Sequence, residues 1–166
     1  PDGLRSPAPD GWQGICPTHA EHRRDRMAAF RRTLADAPVD GIWLDYHHAH
    51  ASWEQAEPNL PDTCFCPPCL EAFAKATDTP LGEGPASAIA ARLLDEHRRA
   101  WVDWRCGVFT DWVREFRAIV DEVRPGALLG TFHCPWTVDE RDGALRDKLA
   151  IDLKAQSRYL DVFSIM

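Results

Sequence analysis

The segment Cys64-Phe65-Cys66-Pro67-Pro68-Cys69 puts three thiols into six positions of a chain that has six cysteines in all. One intervening residue is too short for an unstrained disulfide between Cys64 and Cys66. Cys66 and Cys69 form a CxxC at a predicted helix start, where the helix dipole lowers a thiol pKa, as a redox pair requires. That reading leaves Cys64 unused, and no thioredoxin-like βαβ pattern surrounds the motif. A tetrahedral metal ion uses all three thiolates and asks for a fourth ligand. Cys16, Cys106 and Cys134 are candidates, and His47, His48 and His50 lie nearer in sequence. Thiols without a metal are the remaining reading.

A second set of residues could act on a substrate. Asp45 ends the apolar run VDGIWLDY, and His133 ends the run ALLGTFH. Trp53 and Trp136 follow these runs in polar loops, where an aromatic face can pack on a bound ligand. His47, His133, Trp53 and Trp136 are therefore candidates for substrate contact, and Asp45 for catalysis. Each has a plainer reading: Asp45 as a loop cap or an Arg partner, His133 as a core histidine, the tryptophans as loop packing, and His47, His48 and His50 as solvated loop residues. Glu54, Glu57 and Asp62 are further carboxylates in the loop after Asp45. The chain has no Gly-rich phosphate loop and no Ser-centred nucleophile elbow.

These residues need a scaffold, and the hydrophobic pattern supplies one. Residues 1–15 read as loop. A helix is predicted from about Thr18 to Asp36, with Thr18 and Glu21 as a capping box and Met27, Phe30 and Leu34 on one face. Residues 40–45 read as a strand buried on both faces. Pro67 and Pro68 suit the first turn of a helix running to about Ala76. The longest helical pattern spans about Ala86 to Val123. As one rod it would exceed roughly 50 Å, which predicts a break near Arg99 or Gly107. Residues 127–133 read as a second strand. Thr137 with Glu140 is another potential capping box, and Leu145, Leu149 and Leu153 carry a helical stripe to about Arg158. Residues 160–166 read as a third strand.

Helices alternating with buried strands mean βα units and a parallel sheet. Three strands cannot close a barrel, and eight βα units take ~250 residues. The pattern therefore fits either a small open α/β sheet or the middle of a (β/α)8 barrel. The chain stops within an apolar run, which favours the second: residues 1–166 as a central piece of a barrel domain with both ends cut. In that frame Trp43 and Asp45 face the barrel axis, with Ile42 and Leu44 toward the helices. Thr131 and His133 are expected to face inward and Phe132 outward.

Composition narrows the partners. The net charge is −7, which argues against a nucleic-acid or anionic-membrane surface. No apolar run approaches the ~20 residues of a membrane span. The Pro/Gly-rich start is not a signal peptide. The termini do not fix a compartment, although a thiol–metal site fits a reducing, cytoplasmic one. Assembly into a homo-oligomer is left open.

The segment ICPTHAEHR, followed by WLDY and then CFCPPCLEAF, is similar to a stretch of the zinc-containing TIM-barrel β-galactosidases. In that family a CP-containing segment supplies one cysteine, and a segment after the fourth strand supplies three. The resemblance covers roughly residues 12–76 and implies a structural zinc ion held by Cys16, Cys64, Cys66 and Cys69. It also implies a partial TIM barrel, hydrolysis of O-glycosidic bonds and a carbohydrate substrate. DVFSIM resembles the sixth-strand segment of glycoside hydrolases that carry the same cluster. The family's strand-four Glu, inside a D-N-E-like segment, has no counterpart here, where Asp45-Tyr46-His47 stands. Other barrel glycosidases use a strand-four Asp as nucleophile, a role open to Asp45. The alternatives are a carbohydrate-binding barrel without catalysis and a small zinc-stabilised α/β interaction domain.

Overall fold

The computed structural model describes residues 14–166; the loop expected over residues 1–13 lies outside them. The chain runs α1 (Ala20–Asp36), β1 (Gly41–Leu44), α2 (Pro67–Thr77), α3 (Ala86–Glu96), α4 (Arg98–Val123), β2 (Leu128–His133), a 3-10 turn (Glu140–Gly143), α5 (Ala144–Asp147), α6 (Leu153–Gln156) and β3 (Val162–Ile165). The three strands form one parallel sheet in the order β1-β2-β3. The fold is mixed α/β, as alternating helical and apolar segments require.

One face of the sheet packs on α1 and α4. Leu44 and Leu129 are buried there with Leu34 of α1 and with Val113, Phe116, Ile119 and Val120 of α4. Ile42 and Phe163 pack against the same core. Arg23 clamps Glu115 through two hydrogen bonds of 3.0 and 2.8 Å, and Arg124 donates to the carbonyls of Leu34 and Ala35, so α1 is tied to α4 at both ends. The long helical pattern breaks at His97, whose φ of −130° interrupts the helix between α3 and α4.

On the opposite face the Trp43 ring lies across Gly130 and donates from Nε1 to Ser164 Oγ at 2.7 Å. A Cβ at Gly130 would stand 2.6 Å from the indole, so only glycine permits this crossing.

The register corrects the expected facing of β2. Ile42 pairs with Leu129 and Leu44 with Thr131. Laterally paired residues share a face, so Thr131 and His133 lie on the helix side with Leu129, and Phe132 lies on the Trp43 side. Burying Leu129 against α4 sets this alternation. Thr131 is satisfied there by donating to the Leu44 carbonyl at 3.1 Å.

Two helix predictions are also revised. Thr18 does not cap α1; His19 does, its Nδ1 accepting from His22 N at 3.4 Å. The stripe Leu145, Leu149, Leu153 does not run as one helix. Ala150 adopts φ +58°, and Asp152 starts α6 afresh by accepting from Ala155 N at 2.9 Å. Only half of the Thr137–Glu140 box forms, with Thr137 N donating to the Glu140 carboxylate at 2.5 Å ahead of the 3-10 turn.

Candidate metal centre and strand-end cleft

Four cysteines from three segments converge. Cys16 precedes α1, Cys64 and Cys66 end the loop after β1, and Cys69 lies in the first turn of α2. Their Sγ atoms all lie within 4.8 Å of one another. Cys16 Sγ is 3.3 Å from Cys66 and 3.5 Å from Cys69. Sulfurs bound tetrahedrally at ~2.3 Å from one ion stand about 3.8 Å apart, so the cluster could hold a metal ion with little movement.

Local sequence explains the convergence. Pro67 and Pro68 occupy the first turn of α2 without forfeiting a hydrogen bond, and Cys66 is the N-cap with its side chain free of capping duty. Leu70 and Phe73 bury the inner face of α2 against Leu93 and Trp101. Phe65 stacks on Trp101 at 4.9 Å, with only 11° between the ring planes. Cys16 is held from the other side, because Trp112 Nε1 donates to the Pro17 carbonyl at 2.9 Å. The Thr18 hydroxyl lies 3.2 Å from both Cys16 and Cys69 Sγ, a donor for a thiolate.

The proton balance of the cluster follows from crowding. Hydrogen bonds from Cys64, then Cys69, favour a thiolate on Cys16 and hold its pKa well below the usual thiol range. That same thiolate keeps protons on its neighbours: it raises Cys69 far above the usual range and pushes Cys64 up to about 12. Four sulfurs this close cannot all ionise unless a cation joins them.

The other candidate ligands lie elsewhere. Cys106 and Cys134 are buried in separate parts of the core. His47 packs edge-on against Phe109 and Phe116 of α4, with Nε2 2.9 Å from the Phe109 carbonyl. Burial draws its pKa down to about 4. His47 thus braces the helix layer rather than reaching into the strand-end loops.

Asp45 is exposed just past the C-terminal end of β1. Its Oδ1 accepts from Tyr46 N at 2.9 Å, and Tyr46 takes a left-handed φ of +50°. The Tyr46 phenol lies 3.4 Å from Glu54 Oε1. The charge of Glu54 and, more weakly, burial and the charge of Asp45 raise its pKa. Trp53 is fixed by His48: indole Nε1 donates to His48 Nε2 at 3.2 Å, so His48 Nδ1 carries the proton that bonds the Ala49 carbonyl at 2.7 Å. Burial lowers the His48 pKa and so favours this neutral form.

Trp53, Glu54, Pro135, Trp136 and Met166 line a cleft of about 340 Å³. The two indoles meet edge to face at 6.5 Å, and the Arg141 guanidinium sits 4.8 Å from the centre of the Trp136 ring. His133 is not in this lining. It is 6% exposed, against Phe163, and its Nδ1 has no partner among the described residues. Of the three loop acids Glu54 lines the cleft, whereas Asp62 is held by Lys148 at 2.8 Å and Glu57 is not in the lining. The sequence marked Glu54 only as one loop acid of three. Tyr46, Arg141 and His48 as a brace for Trp53 were not legible, because each depends on a loop contact.

No protein-family model matches the chain, and no curated protein sequence matches it. Among solved structures it is similar to the PgaB (BpsB) glycoside hydrolase domain from Bordetella bronchiseptica, with a TM-score of 0.69 and 14% identity. The chain shares the fold of part of that domain. The likeness covers 98% of this chain and 44% of that one, so the protein spans less than half the neighbour's length. At this identity it speaks for the fold alone. No helix among the described residues is long and apolar enough to cross a membrane.

Proposed function

We propose that the protein is the central part of a (β/α)8-barrel, glycoside hydrolase-like domain that cleaves O-glycosidic bonds in a carbohydrate. In this reading a structural zinc ion sits in the four-cysteine cluster, as in the zinc-containing β-galactosidases. The observation that carries it is an exposed carboxylate, Asp45, just past the C-terminal end of a parallel strand, opening the loop whose Trp53 and Glu54 line a two-tryptophan cleft, on a fold that aligns with a glycoside hydrolase domain. Barrel enzymes do their chemistry at that end of the strands.

Glycoside hydrolysis takes two carboxylates. Asp45 is the first. Glu54 is its partner within this chain, because it is the acid in the cleft wall and shares Tyr46 with Asp45. Trp53 and Trp136 would bind the sugar, Trp53 on its neutral His48 brace. Cys16, Cys64, Cys66 and Cys69 would hold the zinc. With four sulfurs filling its coordination shell, the ion supplies folding energy and activates no water.

The test is release of reducing ends from a panel of polysaccharides and oligosaccharides. Asp45→Asn and Glu54→Gln should each lower turnover of any substrate found at least 100-fold, with melting temperatures within about 2 °C of wild type. Large destabilisation by Asp45→Asn would mark it as a structural cap and sink its catalytic role. A protein that binds a sugar but leaves it intact, in wild type and variants alike, would be a carbohydrate-binding barrel.

A further inference from the structure

Trp53 and Glu54 are consecutive residues of the cleft wall. The Trp53 ring is buried among Leu145, Leu149 and Ile151 and meets Trp136 edge to face at 6.5 Å. Its one polar atom, Nε1, ends on His48 Nε2 at 3.2 Å. An indole N–H only donates, so His48 Nε2 must present a lone pair. The other ring nitrogen, Nδ1, lies 2.7 Å from the Ala49 carbonyl, which only accepts. One form of the ring meets both contacts, the neutral one with its proton on Nδ1. The geometry thus fixes charge and tautomer together.

We infer that His48 is a proton-sensitive latch on the cleft: neutral, it positions Trp53 beside Glu54; protonated, it releases the indole. An imidazolium carries a proton on both nitrogens, so Nε2 would face the indole N–H as a second donor and the bond is lost. The Nδ1 bond to Ala49 survives protonation, so the event falls on Trp53 and not on the backbone of the loop. Ala49 N donates to the Leu149 carbonyl at 2.8 Å, and Ser52 pairs with Asn59, which holds the chain on either side of the latch. Acid therefore loosens one wall of the cleft rather than the whole loop. His48 is a positioning residue, and its bearing on a bound sugar rests on the function proposed above.

The neighbouring groups set the range in which the latch works. Burial opposes the imidazolium and holds the His48 pKa below the usual histidine range, while Glu54 and Asp45 favour protonation and His50 opposes it. Tyr46 meets the His48 ring at 6.0 Å and stays a neutral phenol. His47 packs on Phe109 and Phe116 of α4, and its pKa of about 4 keeps it neutral until stronger acid. From the elements packed on this loop, α4 contributes Cys106, whose thiol burial pushes up to about 11, and Arg105, which bonds the Asp147 and Lys148 carbonyls. The end of α5 contributes Lys148, paired with Asp62, and Arg141 lies over Trp136 at 4.8 Å.

The experiment is nuclear magnetic resonance on the full chain, isotope-labelled at histidine and tryptophan nitrogen and titrated from about pH 8 down to about pH 4. At the upper end the His48 ring should show its proton on Nδ1 and a bare Nε2. On acidification the Trp53 indole cross-peak, identified by its loss in Trp53→Phe, should shift with the same midpoint as the His48 ring. His48→Gln offers an acceptor near the Nε2 position but takes up no proton, so its Trp53 cross-peak should hold still. A ring with its proton on Nε2 at the upper end would overturn the inference. So would a Trp53 cross-peak that stays in place while His48 titrates, or one that shifts equally in His48→Gln. A His48 ring that takes up no proton before the chain unfolds would do the same. Should His48→Gln not fold, the tautomer and the shared midpoint in the wild type decide. No carbohydrate enters these measurements, so they decide the latch separately from the glycosidase reading.

Discussion

Cys16→Ser tests most directly what the cluster does for the fold. Cys16 and Cys66 are 50 positions apart, and a shared ion would close that loop. Treated as a chain cross-link, a loop of ~50 residues is worth about 4 kcal/mol at 25 °C through the disorder removed from the unfolded chain. Cys64, Cys66 and Cys69 are local to one another and close almost no loop, so removing Cys16 should forfeit nearly all of that sum even if three thiolates retain the ion. For a chain of this size about 4 kcal/mol lowers the melting temperature by roughly 8–16 °C. The assay is thermal unfolding followed by circular dichroism, with metal content measured beforehand, for wild type and Cys16→Ser with and without a strong chelator. An ion that binds the folded state stabilises it by mass action, so chelation should bring the wild type down to the level of the variant and move the variant little. If the metal-loaded wild type and Cys16→Ser melt within about 2 °C of each other, the clip carries no folding energy. If chelation shifts both equally, Cys16 is not a ligand.

Gly130→Ala should cost about 2–4 kcal/mol in urea unfolding, because the added methyl displaces the Trp43 ring from 2.6 Å and breaks its bond to Ser164; Ser164→Ala, which removes only the bond's acceptor, should cost about 1 kcal/mol. The pH dependence of stability has a definite sign. The His47 pKa is about 4 when folded, against 6.5 for a free histidine, so the unfolded chain binds more protons between those values. Stability is therefore complete above pH 6.5 and declines as pH falls from 6.5 toward 4, by about 1–3 kcal/mol given that the ring is only partly buried. His47→Phe should flatten this limb of the curve, and a limb of unchanged slope would assign the loss to other groups.

The strands and the parallel sheet were legible because each is an apolar run bounded by a breaker and a polar loop. The facing of β2 was not. Residues 128–133 are nearly apolar on both sides, so alternation alone leaves two choices, one residue out of phase. Packing of Leu129 on α4 and the Trp43 crossing select between them. Gly130 was the available signal, since a glycine inside a strand marks a close approach by another group. The stripe of Leu145, Leu149 and Leu153 was real as a buried face, but Asp152 caps a helix better than it continues one, and the chain restarts there. Thr18 shows a limit of another kind. A threonine three residues before a glutamate reads as a capping box, and nothing local says that its hydroxyl turns instead to sulfurs, one of them 51 positions away.

The four-cysteine cluster and the cleft share one loop. It leaves β1 at Asp45, carries Trp53 and Glu54, and ends at Cys64 and Cys66. At this length it exceeds the ~12–15 residues beyond which loops without regular structure become uncommon. Within the loop run the Ser52–Asn59 bridge, the His48–Trp53 bond and the Tyr46–Glu54 contact, and outward ties run from His47 to the Phe109 carbonyl, from Ala49 to the Leu149 carbonyl and from Asp62 to Lys148. Without an anchor at its far end the loop would hold Glu54 less firmly, whereas the proposed chemistry on a glycosidic bond would need its carboxylates fixed. An ion on Cys64 and Cys66 that also grips Cys16 and Cys69 anchors the loop's far end to α1 and α2, two helices already packed on the core. A purely structural metal would thus act on catalysis through loop order. Loss of the ion should then disturb Glu54, which is exposed on the loop, more than Trp53, which is buried with Leu145 and Leu149 and meets Trp136 edge to face.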